Sequence, residues 1–424
     1  MLSQSCPESF TQWSADNIDH NLITLHGTRG FHGLGIISVS VSNSTVVQGH
    51  FSESAVLRLK RQKVENIHVN RGVPLVPFHA ADTALLSSLQ FKPFGEMKVE
   101  VSESFVNLDL LWHVGWFLNR PEEPRPHWTG FMHDVTRAST DFPQTADIRL
   151  LPIIDLNPND MLCVYSTLLF VERQAQQLGM PTACVTFDQP LWQKAIEIVL
   201  SHRGLNIVCR LGGFHTVTNF LGAIGSIMAG SGLSEALQTC YGPVTVTHML
   251  TSKAFSKAVR GHFLVESALT ILLLRCFLTD RTAEDDAEGT EVLSTGDVQD
   301  LEKLYSVDTN ADEEDDDETL QSCFAKLTEL QIKLDEYKHE LGMRSRTAKL
   351  WLQYIYYISV AKDFIRGERT GNWQLHLDSL SRMLKLFAAS GHVNYAKCGR
   401  LYLQLMLDSL FGISAYLSRV FRFC

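Results

Sequence analysis

No Cys-x-x-Cys occurs in this chain. Its nine cysteines (Cys6, Cys163, Cys184, Cys209, Cys240, Cys276, Cys323, Cys398 and Cys424) are scattered singly. An odd count, with several thiols inside apolar strand and helix patterns, points to buried reduced cysteines of an intracellular protein rather than a disulfide framework. The sixteen histidines form neither His-Glu-x-x-His nor a Cys/His quartet, so no zinc pattern is present. The absence of a Gly-x-Ser-x-Gly elbow leaves a serine hydrolase of the α/β type without support. The first twenty residues lack a basic start followed by an apolar run, so no secretory signal is read there. The most apolar run, Ala268–Leu278, is about half the length that crosses a bilayer and contains Arg275. It reads as a buried helix, and no membrane partner is expected. There is no internal repeat.

The chain has 424 residues, which suggests two or three folding units, and its 45% hydrophobic content can build a sizeable core. Its net charge of −10 argues against a general nucleic-acid binder until the acid is located. Between Ala283 and Glu318 lie sixteen Asp/Glu and one basic residue, Lys303. The remainder carries 36 basic and 31 acidic residues, a mildly basic balance that keeps DNA open as a partner.

From Gln12 to about Ser42, β-branched residues broken by Gly27–Gly30 favour a hairpin. Val73–Phe78 is readable as an edge strand because it contains two prolines, and Pro121–Pro126 as a surface loop. After a strand-like or irregular Pro152–Asn159, Asp160 caps a helix running to about Gly179. Pro181–Phe187 is an apolar strand ending in Asp188, Pro190 opens the helix Leu191–His202, and Leu205–Leu211 is a second apolar strand ending in Gly212-Gly213-Phe214-His215. Such alternation signals an α/β core with parallel strands. Beyond Gly222 the pattern is helical. Lys253–Leu278 reads as one helix, and a stripe at Leu320, Phe324, Leu327, Leu334 and Leu341 marks another. Trp351–Ile365, Trp373–Phe387 and Tyr395–Leu410 follow. The run Asp312–Glu318 repels itself and is expected to be a solvated linker.

Two aspartates carry the chemistry. Asp16 sits in Ala15-Asp-Asn-Ile-Asp-His-Asn21, a polar cluster inside a strand pattern, where a carboxylate is suited to the hard cation Mg²⁺. A strand end with turn-forming Asx residues is the alternative. Asp188 directly follows an apolar strand, where open α/β sheets put ligand-binding groups. It equally suits a helix N-cap, and the two roles are compatible. Carboxylates on neighbouring strands are the parts of a metal-assisted phosphoryl-transfer site. Gly212-Gly213-Phe214-His215 has glycines before a helix but no Lys-Ser/Thr of a phosphate-binding loop. His215 is either a ligand or base, or a structural histidine. Gly222 and Gly225 fit close helix packing. Lys362, Arg366 and Arg369 near Trp373 read as a solvated helix face beside a core tryptophan rather than as a nucleic-acid surface.

Several blocks carry a family resemblance. They are Ala15–Asn21 with Phe31–Ile37, Thr186-Phe-Asp-Gln-Pro-Leu-Trp192, Arg210–His215, Ile227–Leu233, His248-Met-Leu250, Arg260-Gly-His262, Glu368–Leu377, Gly391–Lys397 and Leu401–Gln404. In this order they resemble multicopy, transposon-borne animal open reading frames that are similar to RNase H-like (DDE-type) transposases. The resemblance implies an α/β fold with an RNase H-like mixed sheet over residues 1–282, an insertion around 50–150 and a helical continuation from about 219. The charge run makes 283–318 an acidic disordered linker, which has no counterpart in those frames, ahead of an α-helical region at 319–410 and an unmatched tail at 411–424. The resemblance implies that Asp16 is the first-strand acid and Asp188 the acid after the fourth strand, together holding Mg²⁺ for DNA strand cleavage and joining. A third acid would come from a helix, and Glu235, Glu266 and Glu329 stand as equal candidates. The chain looks truncated at both ends relative to those frames. The resulting expectation is a DNA-associated, transposase-derived remnant without complete catalytic machinery, nuclear if it acts on DNA. The alternatives are an active nuclease core and a helical protein-interaction scaffold. Protein partners and oligomeric state are not legible.

Overall fold

The computed structural model describes residues 9–24, 27–42, 72–79, 90–93, 97, 104–118, 125–138, 146–202, 204–283 and 317–408, and every structural statement concerns these. Most of the acidic stretch, most of the Pro121–Pro126 loop and the tail lie outside them. The chain divides into two compact units, Met1–Lys92 with Pro143–His215, and Pro93–Phe142 with Thr216–Arg422. The main division thus falls at His215, not at the acidic stretch expected to separate a core from a helical region. The helices on either side of that stretch pack together in the second unit.

The first unit is built on a five-stranded mixed sheet in the order β3-β2-β1-β4-β5. β1 (Ser9–Thr24) and β2 (Gly27–Ser42) form the anticipated hairpin, paired antiparallel along their whole length. β3 (Asp147–Leu150) adds antiparallel to β2 and has all four residues exposed. Sequence reasoning missed it, because a four-residue edge strand has no buried face to generate alternation. Val73–Phe78, readable as an edge strand, is irregular instead. Pro74 and Pro77 cannot donate to a ladder. The Val76 amide donates to Ser166 Oγ at 2.9 Å, and the Phe78 ring packs on Tyr165 and His202.

β4 (Ala183–Phe187) lies parallel to β1, and β5 (Ile207–Leu211) parallel to β4. Parallel neighbours require crossover helices, supplied between β3 and β4 by α3 (Met161–Gln177) and between β4 and β5 by α4 (Gln189–Ser201). Asp160 caps α3 through the Leu162 amide, as its position predicts. The Trp192 indole N–H donates to the Cys209 carbonyl at 3.0 Å, pinning α4 to β5. Trp13, Val185, Phe187, Leu191 and Trp192 are fully buried. Cys163, Cys184 and Cys209 are buried and in no disulfide, as is Cys398 in the second unit, whereas Cys240 and Cys276 are exposed and likewise in no disulfide.

The second unit is helical. Its elements are α1 (Ser104–Leu118), α2 (Trp128–Ala138), most of α5 (Gly213–Ile227), α6 (Leu233–Gln238), α7 (Pro243–Leu250), α8 (Phe255–Ala283), α9 (Asp317–Arg344), α10 (Arg346–Thr370), α11 (Trp373–Ala389) and α12 (Val393–Leu407). Gly222 and Gly225 serve packing: a methyl at Gly222 would strike Ser252 and one at Gly225 the Leu250 backbone carbonyl. Among the described residues one helical stretch, Phe255–Asp280, is long and apolar enough to cross a membrane by length and composition. Here it runs beside α1 and α10 and buries Glu266 in an ion pair.

Candidate functional site

The parallel ladder between β1 and β4 pairs Trp13 with Val185, Ser14 with Thr186 and Ala15 with Phe187. The next residue in each segment is an aspartate, Asp16 within β1 and Asp188 just past the end of β4. Neighbouring strands run about 4.8 Å apart, so the fold sets the two carboxylates side by side at the carboxyl end of β4. Asp16 remains in a strand despite its poor propensity because β1 continues to pair with β2, where Gly35 stands opposite it. The hairpin therefore runs on past the point where β4 stops.

Asp188 leaves the sheet in extended conformation and caps α4, its Oδ1 accepting the Leu191 N–H at 3.0 Å with Pro190 in the first turn. Both readings of this residue, cap and ligand, are thus compatible with its position. Burial pushes the Asp188 carboxyl above its usual range against the pull of the Leu191 N–H, and the nearby Asp16 charge adds to the rise. Asp16 Oδ1 accepts the Asn17 N–H at 2.8 Å, while Oδ2 lies 3.5 Å from His215 Nε2. The His215 contact lowers the Asp16 carboxyl, with burial opposing. Asp16 in turn raises the imidazole against burial, and the Asp188 charge works in the same direction.

His215 reaches this position through a close approach. The Gly212 N–H donates to the Phe187 carbonyl at 2.7 Å, and a methyl at Gly212 would sit 3.0 Å from that oxygen. A side chain here would push the start of α5 away from the end of β4. Gly212 thus serves chain proximity, and it brings His215, which the sequence leaves open between a ligand or base and a structural histidine, beside Asp16. The sequence signal of His215 is weaker than that of Asp188, because His215 stands inside the helix that follows β5 rather than directly after the strand. The site is open: the side chains of His215 and Asp16 are 40% and 57% exposed. The Phe214 ring beside His215 is exposed as well.

Among the described residues no three His, Cys, Asp or Glu side chains form a ready-made metal-holding group. Mg²⁺ does not require one, because it keeps several waters and is held by one or two carboxylates plus substrate phosphates. The oxygen donors of Asp16 and Asp188 fit that cation. The candidate third acids all belong to the helical unit. Glu235 is exposed. Glu329 is paired with Lys333 one turn away. Glu266 is buried, 2.6 Å from Lys362 Nζ and 3.2 Å from His113 Nε2.

The basic–aromatic grouping of α10 requires correction. Lys362 and Arg366 are neither a solvated face nor available to nucleic acid, being 0% and 3% exposed. Lys362 pairs with Glu266 and lies over the rings of Trp112, Trp128 and Phe263. Arg366 pairs with Asp109 and Asp363, and Asp363 also accepts from Arg382 at 2.7 Å. The signal was present as a row at intervals of four, Tyr354, Ile358, Lys362 and Arg366, which is one face of a helix. Only Arg369 is exposed.

Residues 127–413 match a family described as a domain of unknown function, DUF8702. The chain belongs to this DUF8702 family. The matched region contains Asp188, His215 and the helical unit from Trp128 onward, and begins after the strand that carries Asp16. No curated protein and no solved structure matches the chain.

Proposed function

We propose that this DUF8702 chain is a transposase-derived protein with an RNase H-like core, which engages DNA and retains a divalent-cation seat at Asp16 and Asp188 without complete strand-transfer machinery. One observation carries the reading: Asp16 on β1 and Asp188 just past the end of β4 each follow the last register pair, Ala15 with Phe187, of two adjacent parallel strands in a sheet ordered β3-β2-β1-β4-β5, whose first three strands are antiparallel. That order, with crossover helices before and after β4, is the arrangement expected of an RNase H-like core. Mg²⁺ bound there would supply positive charge to the attacking and leaving oxygens of a phosphodiester. Asp16 and Asp188 would hold it through carboxylate oxygens, each anchored by a backbone N–H. Among the described residues of this unit the cluster offers two carboxylates and one imidazole, fewer acids than the three of the transposase class. Strand cleavage is therefore expected to be absent.

Support for DNA as partner comes from the charge distribution. From Ile198 to Val265 the only acidic residue is Glu235. Within this stretch Lys253, Lys257 and Arg260 are exposed around the start of α8. Cations at a helix N-terminus oppose the helix dipole, so their clustering is better explained by phosphate contacts than by stability. The exposed Phe214 beside the carboxylates offers a stacking surface for an unpaired base.

Calorimetric titration with Mg²⁺ and Mn²⁺, followed by a plasmid-nicking assay, tests the reading. Cation binding by the wild type, lost in Asp16→Asn and Asp188→Asn, with no nicking, upholds it. Nicking that both substitutions abolish would replace the remnant by an active nuclease. Absence of both cation and DNA binding would leave the helical-scaffold alternative.

A further inference from the structure

We propose that the outer edge of β3 is a self-association site, through which two copies of this chain join their sheets by antiparallel β3–β3 pairing about a two-fold axis.

β3 ends the sheet, with β2 on one side and no described strand on the other. An edge strand offers unpaired N–H and C=O groups to any chain that comes alongside, and proteins ordinarily blunt such edges with lysine, proline or a bulge. The four residues of β3, Asp147-Ile-Arg-Leu150, include neither lysine nor proline. Ile148 and Leu150 are 64% and 86% exposed, and they stand opposite the half-buried Val39 and Ile37 on one face of the sheet. The one cation of the strand, Arg149, is already balanced by Asp147, Nε to Oδ2 at 2.8 Å. No net charge of the strand repels a second copy.

The backbone opens outward at the apolar residues. The Leu151 N–H donates to the Ile36 carbonyl at 2.9 Å, and the direction of hydrogen bonding alternates along an antiparallel strand. Arg149 and Asp147 therefore face β2, whereas Ile148 and Leu150 turn their N–H and C=O groups to the open side.

A two-fold axis can be centred on any residue of β3, and the side chains choose among these registers. Centred on Asp147 or Arg149, it sets like charges against each other. Centred on Leu150, it puts Ile148 opposite the partner's Pro152, which has no N–H to give. Centred on Ile148, it pairs Ile148 with the partner's Ile148, Leu150 with the partner's Ala146, and Asp147 with the partner's Arg149 on both sides of the axis. That register uses the outward amides and sets opposite charges in non-hydrogen-bonded pairs, where side chains stand closest. The strand is thus complementary to its own copy, as a closed isologous dimer requires.

Analytical ultracentrifugation of the full-length protein over a concentration series tests this. The wild type is expected to pass from monomer to dimer. Asp147→Arg and Arg149→Asp should each weaken dimerisation about tenfold, since each turns both symmetric pairs into like-charge pairs. An equimolar mixture of the two variants should restore it, as should the double variant Asp147→Arg with Arg149→Asp, because opposite charges again meet across the axis. Ile148→Pro should abolish the dimer while sparing the β2–β3 ladder, which does not use the Ile148 N–H. A wild type that stays monomeric throughout overturns the proposal. So does a dimer that Ile148→Pro leaves intact, or one whose charge variants are not rescued by mixing. Should Ile148→Pro fail to fold, the charge variants decide, since both of those side chains are exposed.

Discussion

Replacing Glu266 by Gln should destabilise the helical unit far more than its small change in shape suggests. Lys362 Nζ lies 2.6 Å from Glu266 Oε2 and has essentially no access to water. Without the carboxylate its charge would be left with a neutral amide oxygen and the rings of Trp112, Trp128 and Phe263, at 5.2, 5.9 and 5.5 Å, and no counter-charge at Glu266. Breaking one half of a buried pair costs about 3–5 kcal/mol, and the aromatic faces offset about 1–2 kcal/mol of that at most. The net expectation is a loss of about 3 kcal/mol at pH 7. The proton linkage points the same way. Although burial pushes the Glu266 carboxyl up, Lys362 and then His113 outweigh it and bring the carboxyl down from 4.5 to about 2. Because the folded value is the lower one, this stabilisation is fully present above about pH 4.5 and fades as pH falls toward 2, a difference of about 3 kcal/mol. Urea denaturation followed by tryptophan fluorescence, repeated between pH 3 and 7, measures both quantities. The wild type should lose stability below pH 5 more steeply than Glu266→Gln. The double variant Glu266→Gln with Lys362→Met should recover most of the loss, because removing both charges removes the desolvation cost. A single-variant loss under 1 kcal/mol, or a double variant whose cost is the sum of the two singles, would refute this account of the pair.

Asp188→Ala should cost about 1 kcal/mol through loss of the α4 cap, whereas Asp188→Asn should be nearly neutral, since Asn caps equally well. Thermal melts of the two variants therefore separate the cap from cation binding, which both should abolish. The His215 imidazole should titrate above its usual value by NMR and fall back in Asp16→Asn. As the folded value is the raised one, the pair's contribution is present below about pH 6.5 and disappears as pH climbs through the raised value. Gly225→Ala, which drives a methyl into the Leu250 carbonyl, should cost about 1–3 kcal/mol by urea denaturation. Converting Lys253, Lys257 and Arg260 together to alanine should weaken duplex DNA binding and reduce the log–log salt slope by about 2.7, with cation affinity unchanged. An unchanged slope would remove DNA from that surface.

Local pattern determined much of the first unit. The apolar runs at Ala183–Phe187 and Ile207–Leu211, with the Asp160 cap and Pro190, made β4, β5, α3 and α4 legible, because a buried parallel strand and a capped helix leave composition signals of their own. The hairpin Ser9–Ser42 was readable from β-branched residues around glycines. Asp16 stood out as a carboxylate in a polar cluster inside a strand pattern, and Asp188 as one directly after an apolar strand.

What sequence could not supply was everything set by contact across the chain. The register that puts Asp16 beside Asp188 depends on which strands pair, and 172 residues separate the two positions. His215 becomes a site residue only because Gly212 lets two backbones touch. Lys362 and Arg366 looked like a solvated face because charge predicts solvation, until Glu266, Asp109 and Asp363 arrive from the same helix and two others to balance it. Composition encodes the preference of a segment for water or for its own helix. The partners that neutralise a buried charge, or bring two carboxylates to one place, exist only once the tertiary fold has closed.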